Sequence, residues 1–121
     1  MPNETILVVD DSPTEQKIVV ATLQARGYRV ITANDGEEAI EKANREQPSI
    51  VVLDVVMPKK NGYQVCRQLK TTDATKKIKV ILLTSKNQES DKFWGLKQGA
   101  DAYLTKPFLG DDLVTSVSRL I

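Results

Sequence analysis

The sequence predicts an α/β fold. It reads as a (βα)5 doubly wound, five-stranded parallel sheet with helices on both faces, filling residues 1–121 as a single domain. Three observations predict it. Short apolar, β-branched runs alternate with helix-like segments along the whole chain. The runs lack strict in–out alternation, as expected of strands covered on both faces. The segments between them open on capping residues and close on glycines.

The first strand is expected at Thr5–Val9, running into Asp10 and Asp11. Ser12-Pro13-Thr14-Glu15 then has capping-box spacing, with proline at the first helical position. That helix can pass through Ile18, Val19, Thr22 and Leu23 and stop at Gly27. A second strand covers Arg29–Thr32, and Asp35 caps a helix whose apolar face is Ala39, Ile40 and Ala43. The third strand, Ile50–Leu53, ends at Asp54; Met57-Pro58 and Asn61-Gly62 follow as loop and turn. Tyr63, Cys66 and Leu69 mark the third helix, with Cys66 packing in the core. Thr71–Lys77 is a polar loop before the fourth strand, Lys79–Leu83, which ends in Thr84 and Ser85. The fourth helix covers roughly Glu89 to Gln98 and stops at Gly99. Ala102–Leu104 is the fifth strand, followed by Thr105, Lys106 and Pro107, and the fifth helix begins near Asp111.

Composition narrows function. The 17 basic and 16 acidic residues leave a net charge of +1, with no basic stripe, so no nucleic-acid partner is expected. The chain contains no histidine, which excludes histidine general-base catalysis and histidine metal ligation. The lone Cys66 allows no internal disulfide and suits a reducing compartment. No segment reaches the roughly 18 apolar residues of a membrane span. A cytoplasmic protein without membrane insertion is expected.

In a sheet of this kind, ligands bind beyond the carboxyl ends of the strands. Asp10, Asp11, Asp54, Thr84 and Lys106 should therefore converge on one edge. Adjacent carboxylates entering a partly buried cleft repel each other and need a cation, a proton or a special solvent setting. Mg²⁺ suits an all-oxygen set, with Mn²⁺ as a substitute; zinc and copper are disfavoured without histidine. A carboxylate there can also act as a nucleophile and become an aspartyl phosphate. Taken singly, each strand-end Asp would read as a helix cap or a turn former, and a lone Lys-Pro dipeptide would carry no message.

The stretches ILVVDD, IVVLDVVMPKKNG, VILLTS and GADAYLTKPF together resemble receiver domains of two-component response regulators, the chemotaxis-regulator-like family. They span nearly the whole chain, in order. The resemblance implies a flavodoxin-like strand order, with Asp54 as phosphoacceptor. It implies Asp11 as a direct Mg²⁺ ligand, Asp10 acting mainly through water, and the Val56 backbone carbonyl as a third protein ligand. Thr84 would be the switch hydroxyl, Lys106 the phosphate contact and Tyr103 the aromatic switch, which would turn inward once Thr84 moves. The Lys106–Pro107 peptide would be cis. A sensor histidine kinase would be the phosphodonor. A downstream protein target would bind the face formed by the fourth helix, fifth strand and fifth helix. Phe93 and Leu96 are assigned partly to that surface, beside Tyr103.

The expected protein is a signalling switch, not an enzyme beyond its own phosphorylation and slow dephosphorylation. A monomer is expected, with a phosphorylation-dependent dimer as the alternative. TSKNQESDKFWGLKQGADAYLTKPF further resembles single-domain regulators of the twitching-motility and phototaxis type, implying a motility output. Rival readings are a phosphorylation-independent interaction module and a Mg²⁺-dependent aspartate-nucleophile phosphatase. The latter would need a second Asp two residues after the nucleophile, where Val56 stands.

Overall fold

The computed structural model describes residues 4–108 and 110–121. Among them, five strands and five helices alternate: β1 (Thr5–Val9), α1 (Pro13–Gln24), β2 (Arg29–Ala33), α2 (Gly36–Glu46), β3 (Ile50–Leu53), α3 (Gly62–Thr71), β4 (Lys79–Thr84), α4 (Glu89–Lys97), β5 (Ala102–Thr105) and α5 (Gly110–Leu120). β2, β4 and β5 each run one residue beyond the sequence expectation. All pairings are parallel, in the order β2-β1-β3-β4-β5. The order reverses direction between β1 and β3, so the crevice of a doubly wound sheet opens there.

Successive strand residues point to opposite faces, and the two cores follow that parity. Ile6, Val8, Ile50, Val52, Ile81 and Leu83 pack against Val19 and Leu23 of α1 and Leu113 and Val117 of α5. Leu7, Val9, Val51, Leu53, Val80 and Leu82 pack against Ala39 and Ala43 of α2 and Val65, Cys66 and Leu69 of α3. The central strands are buried on both faces, which is why they read as continuous apolar runs. Each fully buried leucine or valine contributes roughly 1.5–3 kcal/mol of transfer free energy.

Helix ends follow their local chemistry. Ser12 Oγ accepts from the Glu15 N–H and Asp35 Oδ1 from the Glu38 N–H. Asn61-Gly62 is more than the turn expected. Asn61 caps α3 and exchanges hydrogen bonds with Gln64 in a reciprocal capping box. Gly99, which follows the C-cap Gln98 of α4, takes φ +102 and donates to the Leu96 carbonyl at 3.0 Å, closing the helix as a left-handed glycine does. Cys66 is core, as expected: its thiol reaches the Gln98 carbonyl, and burial pushes its pKa up to about 12. No helix among the described residues is long and apolar enough to cross a membrane.

α4 departs from the pattern. Its one buried residue is Gly95, whose absent side chain lets the helix lie on Leu82 and the Tyr103 ring. Phe93, Trp94 and Leu96 stand 62%, 53% and 44% exposed. The large apolar residues therefore face out, and the surface position expected for Phe93 and Leu96 is the one observed. The Lys97 ammonium lies 5.6 Å from the centre of the Phe93 ring.

Candidate functional site

Strand register builds the site. Val9 pairs with Leu53, so Asp10 and Asp54 leave neighbouring strands side by side. Their backbones extend the ladder one further step: the Asp10 N–H donates to Ala33 and the Asp54 N–H to Val9. Thr84 pairs with Thr105, which puts Lys106 just beyond the end of β5. The Lys106–Pro107 peptide is cis, as the resemblance implied.

Lys106 Nζ sits among three carboxylates, 3.0 Å from Asp10 Oδ2, 3.2 Å from Asp54 Oδ2 and ion-paired with Glu15. These groups line a cavity of about 770 Å³ with Asp11, Ser12, Val56, Ser85, Pro107 and Phe108. The adjacent carboxylates part company here. Asp10 turns in and is buried; Asp11 lies exposed at the cavity wall. Burial raises Asp10 above the usual carboxylate range, against the opposing pull of the Ser12 N–H and of Lys106. For Lys106, burial disfavours the charge, but hydrogen bonds to Glu15 and Asp10 and the charge of Asp54 outweigh it. The net shift is upward, so the ammonium stays charged.

Asp54 holds its second oxygen toward the Val56 N–H at 3.1 Å, leaving a carboxylate fixed at both oxygens and facing the cavity. Val56 is exposed at the rim. Thr84 is fully buried, and its Oγ accepts from the Lys86 N–H at 3.3 Å; it is Ser85 that reaches the cavity wall. Tyr103 is already turned inward. Its ring lies against Gly95, and its hydroxyl donates to the Lys86 carbonyl at 2.8 Å. An outward ring awaiting a movement of Thr84 does not describe this structure. Burial, ahead of the neighbouring Tyr63 hydroxyl, raises the Tyr103 pKa.

Sequence reasoning gave Glu15 no part in this site. Its carboxylate, with those of Asp10 and Asp54, offers oxygens within 4.8 Å of one another. The capping-box spacing concealed it, because that spacing assigns the Glu15 side chain to Ser12. The donor set is oxygen throughout, which fits a hard divalent cation such as Mg²⁺ and not a soft one.

The fold, the strand-edge carboxylates and the lysine define a receiver domain, and the response regulator receiver domain pattern matches residues 6–118. The chain belongs to the response regulator receiver domain family. It is 43% identical over 116 residues to the protein PilH of Pseudomonas aeruginosa, covering 96% of both chains. It is 47% identical over 119 residues to the alkaline phosphatase synthesis transcriptional regulatory protein PhoP of Bacillus subtilis, covering 98% of this chain but 49% of PhoP. Among solved structures it superimposes on the receiver domain of the Pseudomonas aeruginosa sensor histidine kinase PA1611. That match has a TM-score of 0.90 and 30% identity over 98% of this chain and 97% of the other, and its magnesium ion is coordinated in the active site cleft.

Proposed function

We propose that this receiver accepts a phosphoryl group on Asp54 from a histidine kinase and transmits the change to a protein partner. The supporting observation is the Asp54 carboxylate, fixed beside Lys106 and Asp10 at the mouth of the cavity. An Asp54 oxygen attacks phosphorus in line. The P–N bond of the phosphohistidine breaks, and its electron pair stays on the imidazole nitrogen. Asp10, Asp11, Asp54 and the Val56 carbonyl are the groups that would hold Mg²⁺. That ion would neutralise charge on the transferring phosphoryl oxygens. Lys106 supplies a second cation to the same oxygens, and the Thr84 hydroxyl, at the end of β4, is the switch donor that the family resemblance implies once it leaves Lys86. The phosphoryl group adds ≈ −1.5 to −2 charges, and it biases the output face only by its differential contacts in the two states.

The proposed output face is α4, β5 and α5, where Phe93, Trp94 and Leu96 are exposed. The motility resemblance of the fourth-helix segment and the 43% identity to PilH support a partner in a taxis or pilus pathway. One observation favours a second reading, a module that binds its partner without phosphate: Tyr103 is inward in the unmodified chain.

Incubation with acetyl phosphate and Mg²⁺, read by intact-mass spectrometry, tests the proposal. Wild type is expected to gain one phosphoryl group, lost when Mg²⁺ is chelated beforehand, and Asp54→Asn is expected to gain none. An adduct on Asp54→Asn, or none on wild type from either acetyl phosphate or a phosphorylated histidine kinase with a confirmed Mg²⁺ site, would refute the assignment.

The resemblance to receiver domains ties the lifetime of that adduct to two positions, two residues after Asp54 and two after Thr84. Val56 is an exposed apolar residue at the rim and offers an attacking water no hydrogen bond. Lys86, two residues after Thr84, cannot accept its proton while charged. The double substitution Val56→Asn, Lys86→Glu is expected to speed loss of the adduct on the order of tenfold or more, since a positioned polar group is then present. Decay followed by mass after donor removal checks it; an unchanged half-life refutes it.

A further inference from the structure

Glu15 shares the oxygen cluster of the site, yet none of the proposed steps above uses it. The Ser12-x-x-Glu15 spacing predicts that this carboxylate reaches back to the Ser12 N–H. Only half of that box forms. Ser12 Oγ accepts the Glu15 N–H at 3.3 Å, but the Ser12 N–H donates to Asp10 Oδ1 at 2.9 Å. Asp10 has displaced Glu15 from its capping partner. The Glu15 side chain lines the cavity instead and pairs with Lys106.

We propose that Glu15 is a positioning residue that acts as a brake on phosphoryl transfer, by holding the Lys106 ammonium and by setting a negative charge in the path of an anionic donor. The inference rests on the reading of Asp54 as phosphoacceptor. An ammonium has three N–H donors. In this structure all three have carboxylate partners, on Asp10, Glu15 and Asp54. A phosphoryl group arriving on Asp54 needs a share of that ammonium. Asp10 cannot yield it cheaply, since it is buried and fixed by the Ser12 N–H. Glu15 can, since its side chain is 48% exposed on the first turn of α1. Once displaced, it becomes an unpaired carboxylate facing a group of the same sign. A half-exposed charge has only a modest effect. Glu15→Gln is therefore expected to raise the phosphorylation rate roughly two- to fivefold.

The experiment measures the rate of adduct formation from acetyl phosphate at saturating Mg²⁺, across a range of ionic strength. Wild type, Glu15→Gln and Glu15→Asp are compared, with Mg²⁺ affinity by calorimetry and folding by thermal melt. Glu15→Gln should be faster at low salt, with the gap to wild type closing as salt screens the charge. Glu15→Asp keeps the charge but is too short to hold Lys106; it should fall between the two. A change at the helix cap alone would move the melting temperature but not this salt dependence. Equal or slower phosphorylation of Glu15→Gln overturns the brake. So does a loss of Mg²⁺ affinity, which would make Glu15 a metal ligand. A wild type that takes up no phosphoryl group overturns the underlying reading as well. A wild type that does, with Glu15→Gln no faster, overturns this inference alone.

Discussion

Gly62→Ala is expected to lower stability by about 3 kcal/mol, the upper end of what overpacking costs, and to impair phosphorylation beyond that loss. A Cβ at this position would lie 2.3 Å from the Asp54 carbonyl oxygen and 2.7 Å from the Val55 Cα. Both are backbone atoms of the segment that carries Asp54, so no flexible side chain can yield. The Gly62 N–H also donates to the Val55 carbonyl at 2.9 Å, which holds the first turn of α3 against the exit of β3. Relief of the clash must move Asp54 or lift the helix. Gly27→Ala is the comparison: no atom lies within 4 Å, so its cost is only the roughly 1 kcal/mol of placing a side chain at φ +88. Thermal melts of the two variants should differ by several degrees or more. Equal melts with intact phosphorylation would mean that the close approach is not rigid.

Lys106→Met is expected to cost about 2–3 kcal/mol at neutral pH, because it leaves carboxylates unpaired in a partly buried site. Asp10 and Asp54 are 5% and 12% exposed, and each would lose its cation. The sign with pH is fixed by the shifts. In wild type the Lys106 pKa is raised, so its stabilisation is complete below the ordinary lysine value and is lost only as pH climbs above it. Asp10 is shifted up by burial, so its ionisation opposes folding as pH rises, and removing Lys106 enlarges that penalty. The deficit of Lys106→Met should therefore shrink as pH falls and Asp10 takes up its proton. Under the proposed function, Mg²⁺ should also recover part of it. Melts across pH 4 to 8, with and without Mg²⁺ and with the wild type alongside, check this; a deficit independent of both would point to packing alone.

Most of the fold was legible because the signals are local. Continuous apolar runs such as Ile50–Leu53 mark strands covered on both faces, and Asp35 or Gly99 mark helix ends. The edge residues Asp10, Asp54 and Lys106 followed from topology, since parallel strands bring their carboxyl ends together. What sequence missed was competition between partners. Nothing in Ser12-x-x-Glu15 says that Asp10 will take the Ser12 N–H and send Glu15 elsewhere. Asn61-Gly62 read as a turn because an amide and a glycine suit both a turn and a helix cap. The inward ring of Tyr103 depends on a glycine eight residues earlier and a carbonyl on another loop, a three-body arrangement that no periodicity reports.

The reversed polarity of α4 has a consequence for how the molecule breathes. A helix usually resists opening because detachment exposes its own apolar face. α4 has already exposed Phe93, Trp94 and Leu96, and its inward residue is a glycine. Two tyrosine hydroxyls latch the segment, Tyr63 to the Asp91 carbonyl and Tyr103 to the Lys86 carbonyl. Local opening free energies range from near zero up to the global value, and elements with few buried apolar contacts sit low in that range. On that physical ground α4 sits at the low end of the range, and its opening is expected to cost less than that of the helices whose apolar faces are buried against the sheet.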